Sequence, residues 1–227
     1  MSLHARAWRW LAGDDGPGRR GLPIAEVMAP LPIAALAVLV GNDWLLKPSR
    51  VVPGWLAGKL SDVAGLVLFP LLVTAIVDLA LVAAFRLGAN VDFTLRRWKL
   101  AVSIAATAAV FAALKLSPAL ASHAAAALAA ITGRAAIVAD PTDLLALPAL
   151  AVAAWHGRRA IARVPTGRLE LAERATRTGR PLAPPFADAA ACGAPPDAVA
   201  ALDAAFTAWL AGGPAPPVAA ALDRLRQ

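Results

Sequence analysis

The chain has 227 residues, of which 59% are hydrophobic and 16% are charged, and its mean hydropathy is +0.63. Soluble domains carry about a quarter charged residues, so this composition indicates an integral membrane protein, with an alanine-rich soluble helical bundle as the alternative. The formal net charge of +7 does not indicate a nucleic-acid partner, because the basic residues flank apolar segments, where membrane topology accounts for them.

The N-terminal segment, residues 1–26, is predicted to lie at the cytoplasmic membrane surface, because Trp8 and Trp10 stand among arginines. The first membrane span is predicted over residues 27–46. Pro30 falls in its first turns, where a missing amide costs least.

The second span, residues 62–85, is the strongest transmembrane pattern and follows a predicted loop over residues 47–61. Pro70 removes one helical hydrogen bond and predicts a kink unless a neighbour compensates. Asp78 places a carboxyl group roughly 10 Å inside the cytoplasmic end. We expect it to face the third span, because an ionisable group in hydrocarbon is costly.

The basic connector that follows predicts a cytoplasmic loop and leads to a third span over residues 100–116. Ser117 and Pro118 predict the start of an alanine-rich helix that Gly133 ends. At about 15 residues this helix is too short to span comfortably, so it is predicted to lie on or partly within the outer face. The last span is predicted over residues 141–156.

The distribution of basic residues predicts the topology. Twelve Lys and Arg residues flank the spans on the side assigned to the cytoplasm and five flank them on the other, which predicts that both termini are cytoplasmic. The five are Lys47, Arg50, Lys59, Lys115 and Arg134. The positions of the tryptophans agree with this topology, since Trp44 and Trp55 fall at the outer interface and Trp98 and Trp155 fall at the inner interface. The predicted fold is therefore all-α, with a four-helix membrane bundle over residues 27–158.

Residues 159–227 are predicted to form a cytoplasmic tail of short helices, with a linker over residues 178–196. Residues 197–210 carry an apolar stripe at helical spacing, and residues 218–225 carry a smaller one. The two helices are expected to pack as a hairpin with a small core. Recruitment of a protein partner through the tail is the alternative use of the stripe.

Polar residues from distant parts of the chain converge, in this topology, on the outer membrane face, and six of them form the candidate site. They are Asp43, Lys59, Ser61, Asp62, Asp140 and Asp143. Helix capping is the alternative explanation for the Ser61/Asp62 and Asp140/Asp143 pairs, because side-chain oxygens satisfy the free amides of a first turn. If the residues form a site, the carboxyl groups of Asp62 and Asp143 should lie within roughly 8–10 Å.

Three functions remain open. In a binding or transport protein, the outer site holds an ion or a membrane-lipid headgroup. Asp78 is then either a proton relay or a structural acid that forms hydrogen bonds with the hydroxyls of the third span or pairs with a basic residue of the connector. In an enzyme acting on a lipid-linked substrate, Asp62 or Asp143 is the acid or base and Lys59 holds phosphate. In an assembly subunit, the tail recruits a partner. No metal-ligand spacing, phosphate loop or nucleophile motif is present, so no metal or other cofactor is expected.

The sequence NDWLLK at residues 42–47, followed by PGWLAGKLSD at residues 53–62, resembles a motif of uncharacterised bacterial polytopic membrane proteins. The resemblance implies a multi-pass protein of the bacterial inner membrane. It implies no activity, and it covers only this stretch of the chain.

Overall fold

The computed structural model describes residues 22–49, 51–133, 135–164, 166–179, 182, 184–214 and 216–226, and the secondary structure in these ranges is helical. The predicted surface segment before residue 22 and the basic residues Arg50 and Arg134 lie outside them. The longer helices are α1 (Pro30–Gly41), α2 (Gly54–Arg86), α3 (Arg97–Leu116), α4 (Pro118–Thr132), α5 (Leu150–Ala162), α6 (Thr166–Arg177), α7 (Phe186–Ala191), α8 (Pro196–Leu210) and α9 (Pro216–Arg226).

Three helical segments are long and apolar enough to cross a membrane: Pro30–Ser49, Gly54–Arg86 and Arg97–Leu116. They correspond to the first three predicted spans. The fourth predicted span is helical but divided, since a 3₁₀ helix, Pro141–Ala149, precedes α5. Pro148 lies at the end of the 3₁₀ segment, and a proline cannot donate the amide bond of a regular α-helix.

Helix α2 begins at Gly54, so the predicted loop over residues 47–61 is wrong for its second half. The carbonyl of Pro53 accepts the amides of Leu56 and Ala57 and starts the first turn. With 33 residues the helix is about 50 Å long, well beyond the hydrocarbon thickness of roughly 30 Å. Polar residues that were expected before the helix therefore lie within it.

The first span ends in an irregular turn. A π-helical turn, Asn42–Leu46, follows α1, and the amide of Lys47 closes it on the carbonyl of Asn42. Such turns insert an extra residue into the helix and re-aim nearby side chains. Asn42 is consequently buried, and Trp44 is exposed.

The alanine-rich helix α4 has the predicted ends. The Ser117 hydroxyl accepts the Leu120 amide, Pro118 occupies the first turn, and Gly133 adopts the left-handed conformation (φ 79°) that ends the helix. Glycine suits this position because it has no Cβ to strain the backbone.

The chain divides into two compact units. The first unit contains Leu31–Pro70 and Ala101–Ala154. Its apolar core is formed by Leu66 of α2, Ala146 and Leu150, packed against residues of α3 such as Phe111. Within this unit the Ser103 hydroxyl donates to the carbonyl of Pro70 at 2.6 Å, and this bond ties α3 to the proline turn of α2.

The second unit contains Leu71–Leu100, the chain from Trp155 onward and the described residues up to Pro30. The predicted tail hairpin is present, since α8 and α9 pack through Leu202, Phe206, Val218 and Leu222. The apolar stripe of residues 197–210 is thus used for an internal core. The predicted linker is wrong in part, because it contains helix α7; Phe186 of that helix packs edge-on against Phe206 with ring centroids 5.9 Å apart.

Helix α5 approaches α3 closely at Gly157. A Cβ added there would lie 2.7 Å from both methyl carbons of Leu100 and 3.2 Å from its Cγ. We therefore expect Gly157→Ala to lower the free energy of unfolding by about 1–3 kcal/mol through overpacking. Combining it with Leu100→Ala should cost less than the sum of the two single changes, as measured by denaturant unfolding in detergent.

Gly58→Ala is the matched control, because a Cβ on that helical glycine meets nothing within 4 Å. It should leave stability unchanged or raise it by up to about 1 kcal/mol. Equal effects of the two glycine substitutions would contradict the close approach.

Candidate functional site

The centre of the candidate site is an ammonium group shared by two carboxylates. Lys115, in the last turn of α3, donates to Asp62 of α2 at 2.9 Å and to Asp143 of the 3₁₀ helix at 2.7 Å. All three side chains are 10–15% exposed. The two carboxylates are therefore closer than the predicted helix-packing distance. A lysine between two acids removes the repulsion that burying both charges would otherwise create.

A second lysine extends the cluster towards solvent. Lys59 of α2 donates to the Thr142 hydroxyl at 3.0 Å and to the other Asp143 oxygen at 3.1 Å. Its side chain is 30% exposed, so it is the most accessible member of the group. We call Lys59, Asp62, Lys115 and Asp143 the four-charge network. Two ammonium groups and two carboxylates balance its charge.

Ser61 and Asp43 belong to a neighbouring polar group rather than to this network. Asn42 donates to the Ala57 carbonyl and to the Ser61 hydroxyl, both at 2.6 Å, and Ser61 donates to Asp43 at 2.9 Å. Lys47 pairs with Asp43 one turn away at 2.6 Å, with both side chains 44% exposed. This group holds the π-helical turn against the first turns of α2.

Capping explains one of the predicted site residues. Asp140 accepts the Thr142 amide at 2.9 Å and caps the 3₁₀ helix. For Ser61 and Asp62 the capping interpretation is wrong, because both lie inside α2, which begins at Gly54. Asp143 uses both carboxylate oxygens on lysines.

Asp78, the predicted intramembrane acid, lies in the second unit and pairs with Lys99 of α3. Lys99 also donates to the main-chain oxygens of Asp92 at 2.8 Å and Thr94 at 3.0 Å. Asp78 thus pairs with the last basic residue of the predicted connector, which is one of the two structural alternatives, rather than with a hydroxyl of the third span. Ser103, the expected hydroxyl, donates to Pro70 instead.

The connector before α3 is an ion-pair centre that sequence patterns do not reveal. The Asp92 carboxylate accepts Arg96 at 2.9 Å and pairs with the buried Arg168 of α6. Arg96 also reaches Asp188 of α7 at 2.8 Å. The connector therefore binds the tail helices through charge, although its basic composition predicts only a solvated loop.

Glu26 is a buried acid that sequence patterns do not single out. It is 7% exposed and belongs to a short helical turn before α1, where His156 contacts its main-chain oxygen through Nε2 at 2.9 Å. Burial, helped by the nearby Asp78 charge, raises the pKa of the Glu26 carboxyl from 4.5 to about 8, although a main-chain hydrogen bond and the Lys99 charge oppose the rise. The only sequence signal is an acid next to an apolar run.

Comparisons with known proteins supply no relative. No protein-family model matches the chain, and no match is found among curated proteins or among solved structures. The function must therefore be argued from the residues themselves.

The four-charge network can be tested against an exposed ion pair of the same chain. Lys115→Met leaves Asp62 and Asp143 without their shared cation, and we expect a loss of about 3 kcal/mol in the free energy of unfolding. Lys47→Met removes only an exposed pair with Asp43 and should cost at most about 1 kcal/mol. Denaturant unfolding of the two variants measures the difference. Similar small losses in both would show that the Lys115 contacts do not stabilise the fold.

Proposed function

We propose that the chain is a multi-pass protein of the bacterial inner membrane, with four spans and both termini in the cytoplasm. Contacts between helix ends support this arrangement. The end of the first span, Asn42, contacts the first turns of α2, and Lys115 at the end of α3 contacts Asp143 at the start of the last helical segment. This pairing is what an up-and-down arrangement of consecutive spans requires.

The tryptophans support the same orientation. In the first unit, Trp44 and Trp55 are 78% and 67% exposed; in the second, Trp98 and Trp155 are 62% and 54% exposed. Arg159 lies 4.9 Å from the Trp155 ring centroid. Exposed indoles beside basic residues favour the headgroup level of a membrane.

We further propose that the four-charge network is a binding site for an anionic group, in a binding, transport or assembly role. The observation that supports this proposal is the free bonding capacity of Lys59. Its ammonium has three donors, of which the described residues take two, through Thr142 and Asp143. The third donor and the 30% exposure leave it able to bind a phosphate oxygen of a lipid headgroup.

Binding ranks ahead of catalysis because both carboxylates are occupied. Asp62 and Asp143 each accept a bond from the Lys115 ammonium group, and Asp143 accepts a second from Lys59. A general acid must deliver a proton to the substrate, and a general base must reach one. Asp143 has both oxygens bonded to lysines, and Asp62 is held by Lys115 through Oδ2.

Lipid selectivity tests the binding proposal. The protein is reconstituted in nanodiscs of equimolar phosphatidylcholine and phosphatidylglycerol, and the lipids retained after solubilisation are identified by native mass spectrometry. We expect Lys59→Gln to reduce phosphatidylglycerol retention about fivefold, the equivalent of roughly 1 kcal/mol for one lysine. Lys47→Gln, which removes a comparably exposed lysine, should retain the wild-type preference. Equal losses in both variants, or no preference in the wild type, would contradict a site at Lys59.

The topology is tested by cysteine labelling in intact cells with an impermeant maleimide. In a Cys192→Ala background, Ser49→Cys should label from outside, whereas Ala89→Cys should label only after permeabilisation. Both positions are exposed. Native Cys192 is a poor reporter, because burial raises the pKa of its thiol. Labelling of Ala89→Cys in intact cells would overturn the four-span arrangement.

A further inference from the structure

We propose that Glu26 is a proton-binding residue, held as a neutral carboxylic acid in the folded protein beside the Asp78–Lys99 ion pair. The proposal is independent of the lipid site at Lys59, and it places the protonatable group at Glu26 rather than at Asp78, which the sequence leaves as either a proton relay or a structural acid.

The first observation is a buried carboxyl with one oxygen unpartnered. Glu26 is 7% exposed, and within the described part of the chain its Oε1 has no hydrogen-bond partner. Asp78 is fully buried, and its Oδ2 likewise lacks a partner among those residues. An ionised carboxylate without a partner is strongly disfavoured in a buried position, whereas the neutral acid is tolerated.

The second observation concerns the cation. Lys99 is the ammonium close enough to act on Glu26, but its three donors are taken by Asp78, the Asp92 carbonyl and the Thr94 carbonyl. It cannot donate to Glu26 without releasing one of them. Within the described ranges, Lys99 is therefore the counter-ion of Asp78 and leaves Glu26 without one.

The charge balance then assigns the proton. With both acids ionised, Glu26, Asp78 and Lys99 carry a net charge of −1 in a buried place; one proton on Glu26 makes the group neutral. Among the residues that the structure describes, the titratable groups that act on Glu26 or contact it are Asp78 on α2, Lys99 on α3 and His156 on α5, whose imidazole contacts the main chain of Glu26. The rise of the Glu26 pKa to about 8 agrees with this assignment.

Stability as a function of pH tests the proposal. The Glu26 pKa is 4.5 when unperturbed and about 8 in the folded protein, so between these values only the folded state holds the proton. Unfolding then releases a proton, and the stability contributed by this group falls as pH rises through that window. Glu26→Gln mimics the neutral acid, so its Tm should match the wild type near pH 4.5 and exceed it increasingly up to about pH 8.

A Tm difference that does not change with pH would overturn the proposal. Asp203→Asn, a change at an exposed tail acid, is the control and should not show the widening difference. If His156 were the titrating group, the pH dependence would survive in Glu26→Gln.

Infrared titration of the wild type keeps the test valid if the variant folds poorly. A carboxylic acid band should be present at neutral pH and disappear with a midpoint near 8. Glu26→Gln should lack it. Absence of the band in the folded wild type would overturn the proposal. In that case, an increase of the wild-type Tm at high pH with sodium concentration would identify a bound cation in place of the proton.

Discussion

The second unit depends on one buried ammonium group. Lys99 is 6% exposed and bonds Asp78 of α2 and two main-chain oxygens of the connector. A buried charge costs several kcal/mol of folding free energy unless it is paired and hydrogen-bonded. A change in the path of the connector would therefore be costly, because Lys99 would lose its hydrogen-bond partners. Asp92 extends the constraint, because the same residue offers its carbonyl to Lys99 and its carboxylate to Arg96 and Arg168. The tail helices are thereby tied by charge to the residue that pairs with the intramembrane acid.

The first unit also contains buried charged groups, but it balances them through side chains alone. Two of its lysines, Lys59 and Lys115, are balanced by Asp62 and Asp143, and no main-chain oxygen takes part in the contacts that join these four side chains. Side chains can exchange partners without moving a backbone, and Lys59 retains a donor and partial exposure. Lys99, by contrast, is saturated. A site that must bind and release a ligand is therefore better served by the four-charge network, while the Lys99 group is suited to fixing structure.

Sequence patterns predicted the elements better than their contacts. Apolar blocks located three long helices, and Ser117, Pro118 and Gly133 predicted both ends of α4, because caps are local chemistry. The start of α2 was missed because the apolar pattern begins only at Asp62, whereas the helix already begins at Gly54. The polar side chains of its first turns form hydrogen bonds with neighbouring elements, as Ser61 and Asp62 do. The convergence of Asp62 and Asp143 followed from topology alone. Their bridge through Lys115 depends on the register of three segments, which periodicity does not encode.

The acids Asp78 and Glu26 show why position along the chain is a weak guide to protonation. Asp78 attracts attention because it interrupts an apolar span, yet it has an ammonium partner, and that contact favours its charged form. Glu26 stands before the span, where an acid is expected to be solvated, yet it is buried without a counter-ion of its own among the described residues. Neutralising Asp78 would leave Lys99 as an unpaired buried cation, whereas neutralising Glu26 removes an unpaired buried anion. The two acids therefore have opposite requirements, and the proton belongs on the one that lacks a cation.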